Sequence, residues 1–457
     1  MKLTKEINPY IFRGYDIRGV YPTDLTEDVS YTIGKSYGTY IQKLNKKKCV
    51  IGHDNRYSSE ELTNALIQGI LETGVDVIDL GLVTTPMYYY ACIKLGIPSS
   101  IMVTASHNPK DDNGFKFAFD ERGNARGEMI EEFRDFTFKQ DFISGNGKKE
   151  FFDIKDDYLK LMHTSLSFGT NRRKVVIDPG NGTTSIIAKE LYDSFPIDVE
   201  IICGESDPNF PNHHPDPCVE KNLDLLKKKV LETKADVGIG FDGDGDRVGI
   251  IDENGNYIAT DKFMIIVIRD IIDKVEKKKF LYDVKCSKSL EDEIEKLGGS
   301  SICYRTGNSY TKSKVLDEKL PFGGELSGHV YFNDKFPGFD SGLYAGLRLL
   351  EILSHTNKKV SELLDGITKY YSTPELKFAS RDDKKVEVVE KIKEYCAEKK
   401  YKMITIDGAR VEFEDGWALV RMSNTGPNIT ARFEATTMKR LEELKEEFIT
   451  LIEMWNK

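Results

Sequence analysis

The sequence predicts an α/β protein: three similar α/β units followed by a smaller C-terminal α+β domain. Three observations carry this. Short apolar runs alternate with amphipathic helical stretches. That order of elements starts afresh three times. Beyond about Thr373 it changes to one helix followed by short strand-like pieces. A chain of 457 residues also exceeds one ordinary core.

In the first unit, KKCVIGHD (47–54) reads as a buried strand, SSEELTNALIQGILETG (58–74) as a helix, and VDVIDLG (75–81) as a second strand. PSSIMVTASHNP (98–109) is a third strand ending in a polar loop. Strand, helix and strand with short links give a βαβ arrangement around a parallel sheet. The second unit opens with RKVVIDPGNGTTSIIAKELY (173–192), read as a strand, a Gly-rich turn and a helix, and reaches DVGIGFDGDGDRVGIID (236–252), a strand entering an acidic loop. The third has a helix in DKFMIIVIRDIIDKV and a strand in KFLYDVKCS (279–287), then YRTGNS and PFGGELSGHVYF at matching stages. The tail has a helix in VEVVEKIKEYCAEKK, strands in MITIDG, ARVEFED, GWALVRMS and NITARFEA, and a closing helix, MKRLEELKEEFITLIEMW. The divisions are expected at 1–150, 151–255, 256–370 and 371–457.

Composition narrows the function. No apolar run is long enough to span a bilayer and the first residues lack a signal-peptide core, so a cytoplasmic protein without a membrane partner is expected. The net charge of −10 argues against nucleic acid as the main partner. Seven scattered cysteines without a CxxC pair argue against a disulfide framework and a structural zinc site.

Ligands of parallel α/β sheets gather at the carboxyl ends of strands, so the loops after the apolar runs matter most. In DGDGDR, Asp242, Asp244 and Asp246 alternate with glycines that let the loop curl. Three hard oxygen donors suit Mg²⁺ with room for a phosphate oxygen, and Arg247 stands ready for substrate or loop charge. The alternative is a solvated acidic turn. In TASHNP, Ser106 follows a strand with His107 beside it and Lys116 not far on: a candidate phosphate carrier, or a Ser/Asn turn closed by Pro109. GGELSGH puts Glu325, Ser327 and His329 on a Gly-rich loop, a set of partners for sugar hydroxyls or a polar turn. RMSNTGP offers Arg421, Ser423, Asn424 and Thr425, with Arg432 on the next strand, as an anion cradle or a hairpin turn. His213-His214 in PNHHPDP lacks a third metal ligand at suitable spacing and reads as a rigid polar loop. DPGNG (178–182) lacks the Lys and Ser/Thr of a P-loop and reads as a tight turn.

PYIFRGYDIRG, TASHNP, DGDGDR, YDVKCS, GELSGH and RMSNTGP occur in one order. In that order, over nearly the whole chain, the sequence resembles the α-D-phosphohexomutases, most closely the bacterial phosphomannomutase/phosphoglucomutase branch. The resemblance implies three similar mixed-sheet α/β domains plus a C-terminal α+β domain around a central cleft. It implies reversible transfer of phosphate between O1 and O6 of mannose or glucose, with a hexose 1,6-bisphosphate as intermediate and activator. It makes Ser106 the phosphoryl carrier, and Asp242, Asp244, Asp246 and a phosphoserine oxygen the Mg²⁺ ligands. Tyr15, Arg18, Asn308, Glu325, Ser327, His329, Arg421, Ser423, Asn424 and Thr425 become substrate-binding residues. His107, Lys116, Arg247 and Lys285 line the reacting end with Arg18. A monomer or weak homodimer is expected. One departure stands out: this branch usually has histidine where Asn308 stands, so a titrating role there is lost. Rival readings are a phosphoglucosamine mutase, whose phosphate loop generally reads SGT instead of SNT, a Mg²⁺-dependent sugar phosphatase, and a non-catalytic sugar-phosphate binding protein.

Overall fold

The computed structural model describes residues 1–423 and 426–457. Four sheets follow one another along the chain. The first contains β1 (Ile17–Val20), β2 (Lys48–His53), β3 (Asp76–Leu82), β4 (Ser100–Val103), β5 (Asp112–Ala118) and β6 (Lys149–Phe151), in the order β1-β5-β4-β2-β3-β6. β2 runs parallel to β3 and β4, whereas β5 returns antiparallel beside β4. TASHNP is therefore the connection at the carboxyl end of β4. The helix Ser59–Leu71 forms because Leu62, Leu66 and Ile70 recur on one buried face. It packs so closely on the helix Glu27–Lys43 that a Cβ on Gly34 would lie 2.2 Å from the Leu66 carbonyl oxygen.

The second sheet holds β7 (Lys174–Asp178), β8 (Asp198–Ile201), β9 (Val237–Phe241), β10 (Val248–Asp252) and β11 (Tyr257–Ile258), ordered β11-β10-β9-β7-β8. β9 and β10 are antiparallel with Phe241 opposite Val248, so DGDGDR is the turn of a hairpin. The helix expected up to Tyr192 is shorter: a 3₁₀ turn, Thr183–Ile186, precedes a six-residue helix, Ala188–Asp193. The Thr183 hydroxyl is drawn to Asn55, and paired β-branched threonines disfavour an earlier helical start.

The third sheet has β12 (Lys279–Asp283), β13 (Ser300–Tyr304), β14 (Phe322–Gly324) and β15 (Val330–Phe332), ordered β13-β12-β14-β15. Gly324 faces Val330, which makes ELSGH a hairpin turn as well. The fourth sheet comprises β16 (Tyr371–Ser372), β17 (Leu376–Ala379), β18 (Lys402–Ile404), β19 (Ala409–Phe413), β20 (Gly416–Met422) and β21 (Asn428–Ala435). Its path is β16-β21-β20-β19-β18, with β17 also on β21, and the helices Asp382–Glu398 and Met438–Trp455 pack on β20 and β21. β16 and β17 were not legible in the sequence. They are short and largely exposed, so they lack an apolar alternation.

One apolar core runs through the first three sheets, from Val50 and Tyr88 through Ile239 and Phe263 to Phe322 and Leu349. The fourth sheet has its own core around Val411, Val420, Phe433 and Phe448. It docks on the third through a small apolar cluster of Val284, Trp417 and Leu419 and through polar groups around it. Nη1 of Arg410 donates to the carbonyls of Val284 (2.6 Å) and Cys286 (2.9 Å), and the Lys288 N–H donates to Glu434. Among the described residues, no helix is long and apolar enough to cross a membrane.

Candidate active site

A cleft of about 790 Å³ opens where the four sheets meet. Ser106, His107, Lys116, Arg247, Lys285, Tyr15, Arg18, Asn308, Glu325, Ser327, His329, Arg421 and Ser423 all line it. Asn424 and Thr425 lie outside the described residues.

The acidic loop and the serine loop meet directly. Ser106 Oγ donates to Asp242 Oδ2 at 2.8 Å. Ser106 has φ of 52°, a left-handed conformation uncommon for serine, at the tip of the strand-to-loop turn. Two features hold it there. Its N–H donates to Thr104 Oγ1 (2.8 Å), and the buried guanidinium of Arg56 donates to the carbonyls of Ser106 (2.8 Å), Asn108 (2.7 Å), Pro109 and Asp112 (3.0 Å). Gly243 is needed at the contact, because a Cβ there would lie 2.5 Å from the Ser106 carbonyl oxygen.

The acidic turn is held from its own unit and from the first and third. From the first, the Thr85 N–H donates to the Asp244 carbonyl (2.9 Å) and its hydroxyl to Asp244 Oδ2 (2.6 Å). Thr84 caps the helix Thr85–Leu95 and Pro86 occupies its first turn, which aims Thr85 at the loop. From the second, the Thr183 N–H donates to Gly243 O at 2.8 Å; from the third, the Gly342 N–H donates to Gly245 O at 3.0 Å.

Asp242, Asp244 and Asp246 are fully buried, with ligand oxygens within 4.8 Å of one another. Lys116 bridges Asp244 (2.8 Å) and Asp246 (2.7 Å). Oδ1 of Asp244 and of Asp246 are buried without a hydrogen-bond partner among the described residues. Burial, then the charges of Asp246 and Asp244, push Asp242 well above the usual carboxylate range. For Asp244, burial is outweighed by the Lys116 ammonium and its acidity rises. Lys116 is held charged despite burial by the same two carboxylates. Lys116 and, 3.7 Å from Asp242, Arg247 offset part of the charge of the three buried carboxylates, and the unpartnered Oδ1 atoms of Asp244 and Asp246 leave bare lone pairs, the environment a hard cation fits.

Across the cleft, His329 and Asp340 form a dyad, with Nδ1 of His329 2.9 Å from Asp340 Oδ2. Nε2 of His329 accepts from Arg247 Nε at 3.1 Å. Asn308 also donates to Asp340, while its Oδ1 is buried and unpartnered among the described residues. Glu325 takes the Gly307 N–H (2.7 Å), the Thr311 hydroxyl (2.6 Å) and the Ser327 hydroxyl (3.1 Å), and so braces the 307–311 turn as well as lining the cleft. His107 lies 3.4 Å from Ser106 Oγ, and burial together with Arg247 and Arg18 keeps its imidazole neutral. Burial and Asp16 raise the Tyr15 phenol to about 12, so it stays neutral too. Lys285 lies 3.5 Å from Asp283, whose charge outweighs burial and keeps the ammonium protonated.

At the far end, Arg421 Nε donates to Asp407 (3.0 Å) and leaves Nη2 without a partner among the described residues. Arg432 donates to the carbonyls of Thr373 and Lys285. The reading of the sequence missed Arg56, Thr85, Asp340 and Arg410. Arg56 alone carried a signal: it stands in HDNR, a polar cluster directly after an apolar strand.

Family profiles described as "Phosphoglucomutase/phosphomannomutase, alpha/beta/alpha" domains I, II and III match residues 9–144, 156–255 and 259–371, and the corresponding "C-terminal domain" matches 375–451. A phosphomannomutase/phosphoglucomutase from Pseudomonas aeruginosa PAO1 is 38% identical over 438 residues, 96% of this chain and 94% of the relative. A phosphoglucomutase from Neisseria gonorrhoeae is 37% identical over 451 residues, 97% and 96% of the two chains. A crystal structure of a phosphoglucomutase/phosphomannomutase family protein from Burkholderia thailandensis superposes with a TM-score of 0.91 at 36% identity, covering 98% of each chain.

Proposed function

The chain belongs to the phosphoglucomutase/phosphomannomutase family, a group of α-D-phosphohexomutases, and on that basis we propose that it moves a phosphoryl group between O1 and O6 of a hexose phosphate by way of Ser106. The observation that carries the residue assignment is the 2.8 Å contact between Ser106 Oγ and Asp242 inside a buried triad of carboxylates.

In this reading phospho-Ser106 faces the free hydroxyl of a bound hexose monophosphate. The hydroxyl oxygen attacks phosphorus, the bond to Ser106 Oγ breaks, and a hexose 1,6-bisphosphate results. After the sugar reorients, Ser106 Oγ attacks the other phosphate and the isomeric monophosphate leaves. Asp242, Asp244 and Asp246 would hold Mg²⁺ together with a phosphoserine oxygen. The bound ion supplies charge neutralisation for the transferring phosphoryl oxygens.

Arg18, Lys116 and Arg247 add fixed positive charge around the same atoms. His329 is a candidate proton acceptor for the attacking hydroxyl: Asp340 holds its Nδ1–H, and its Nε2 lone pair, which here accepts from Arg247 Nε, becomes the working face once that guanidinium turns to the substrate phosphate. Arg421 and Ser423, with Asn424 and Thr425 in the same motif, would clamp the phosphate that is not reacting. Glu325, Ser327 and Asn308 would read sugar hydroxyls. The separate core of the C-terminal unit and the small size of the apolar cluster that joins it to the third unit support an opening of that unit for reorientation, followed by closure that excludes water.

The test is turnover of glucose 1-phosphate and mannose 1-phosphate by the wild-type and Ser106→Ala proteins, with glucosamine 1-phosphate and inorganic phosphate release followed for the wild type. Loss of turnover by at least about 10⁴-fold is expected in the variant. Wild-type turnover in Ser106→Ala would overturn the assignment. Preference for the glucosamine ester would favour the phosphoglucosamine branch, and steady release of inorganic phosphate would favour a phosphatase.

A further inference from the structure

His213 and His214 have no third ligand at suitable spacing in the sequence, but the fold brings two. Asp178 ends β7 and Cys203 lies just beyond β8. Their ligand atoms and an imidazole nitrogen of His213 all lie within 4.8 Å of one another. His213 Nε2 is 3.0 Å from Asp178 Oδ2; the Asp178 side chain is fully buried and that of His213 is 12% exposed. The cluster therefore opens to solvent on the imidazole side.

Hydrogen bonding fixes the tautomer. His213 Nδ1 lies 3.0 Å from the backbone carbonyl of His214, which can only accept, so Nδ1 carries the proton. Nε2 then meets a carboxylate oxygen lone pair to lone pair unless a cation lies between them. That cation is either a second proton or a metal ion. Asp178 Oδ1 is held by the Gly180 N–H at 2.9 Å. An imidazole donating its far N–H to a backbone carbonyl, beside a carboxylate oriented by its own hydrogen bond, is the outer-shell arrangement of protein metal sites. The backbone is committed to this geometry: Gly180, Asn181 and Cys203 have φ of 57°, 58° and 47°, and the Asn181 N–H donates to Cys203 O at 2.9 Å. One sulfur, one nitrogen and one oxygen donor suit zinc or a similar borderline divalent ion and not Mg²⁺.

We propose that Asp178, Cys203 and His213 form a second metal site, for Zn²⁺ or a similar borderline divalent cation, separate from the carboxylates of the DGDGD loop. Three protein ligands leave a fourth position for water. The ion ties the turn after β7 to the loop after β8. That turn holds Gly243 O through the Thr183 N–H, and the loop continues to Asp216 and Cys218 in the wall of the cleft. The site braces the catalytic loop from behind and touches no substrate.

The test uses chelator-treated full-length protein with Mg²⁺ in excess and Co²⁺ as probe. One equivalent of Co²⁺ should give a near-ultraviolet thiolate-to-metal band that is absent in Cys203→Ser and His213→Asn and retained in Ser106→Ala. The wild-type protein gives an independent reading, because one equivalent of Zn²⁺ should slow iodoacetamide alkylation of Cys203 by at least about 10-fold. Peptide mass spectrometry would show the partly buried Cys92 and Cys303 unchanged. An absent Co²⁺ band, or equal alkylation of Cys203 with and without Zn²⁺, overturns the proposal and leaves a shared proton in the cluster. Neither result bears on transfer through Ser106, so the two readings fail separately.

Discussion

Arg56→Lys tests how the serine loop is held. Arg56 touches four carbonyl oxygens between Ser106 and Asp112 and lies 3.2 Å from Asp54, yet it does not line the cleft. Hydrogen bonds from a charged donor contribute about 1.5–3 kcal/mol each, and an ammonium has three donors on a shorter fork than guanidinium. Losing two of the four contacts removes about 3–6 kcal/mol from the folded loop while Asp54 keeps a cationic partner. Without the clamp, the left-handed Ser106 relaxes, and a shift near 1 Å at the reacting oxygen costs about 100-fold in turnover. The assay is glucose 1-phosphate isomerisation coupled to glucose 6-phosphate oxidation, with the melting temperature recorded alongside. The expected result is kcat lower by about 100-fold and KM within about 3-fold. A kcat within about 3-fold of wild type would refute the reasoning, because the loop would then hold itself.

Three further outcomes follow from the same geometry. Gly243→Ala places a methyl against the Ser106 carbonyl and is expected to lower kcat by at least about 100-fold, measured in the same assay. Asn308→Ala removes a buried, unpartnered carbonyl oxygen from the cleft wall and should raise KM about 2- to 10-fold, the worth of one neutral hydrogen bond, read from initial rates. Lys312, over the Tyr89 ring at 3.4 Å, is lowered by burial to about 8, with Asp340 only partly offsetting it. Its folded value lies below its unfolded one, so the unfolded chain binds the extra proton between about pH 8 and 10.5, and stability rises with pH across that window by on the order of 3 kcal/mol. Lys312→Met is expected to flatten that rise in urea midpoints taken at pH 7.5 and 10.5; an unchanged slope would show that Lys312 is not the group responsible.

The parts legible in the sequence were those written locally. DGDGD announces itself because three carboxylates within five residues have few purposes, and the βαβ rhythm follows from apolar runs of strand length between amphipathic helices. What stayed hidden is non-local. Thr85 reaches Asp244 across 159 residues, and nothing around Thr85 distinguishes it from any helix N-terminus. Asp340 becomes a dyad partner only when β15 and the following loop fold back on His329. His213 looked like a lone polar loop because its partner Asp178 stands 35 residues away at the end of β7. The six motifs placed the chain in its family, but the clamp around Ser106 came from an arginine that no motif contains.

The most direct test of the central account follows the phosphate on Ser106. Protein primed with a hexose 1,6-bisphosphate and Mg²⁺ would be digested and mapped by peptide mass spectrometry, then mixed in a single turnover with excess hexose monophosphate. The account predicts phosphate on the Ser106 peptide that moves to the sugar at least as fast as kcat. An enzyme that turns over while Ser106 stays unmodified, or whose phosphoserine is lost only as inorganic phosphate, would contradict it.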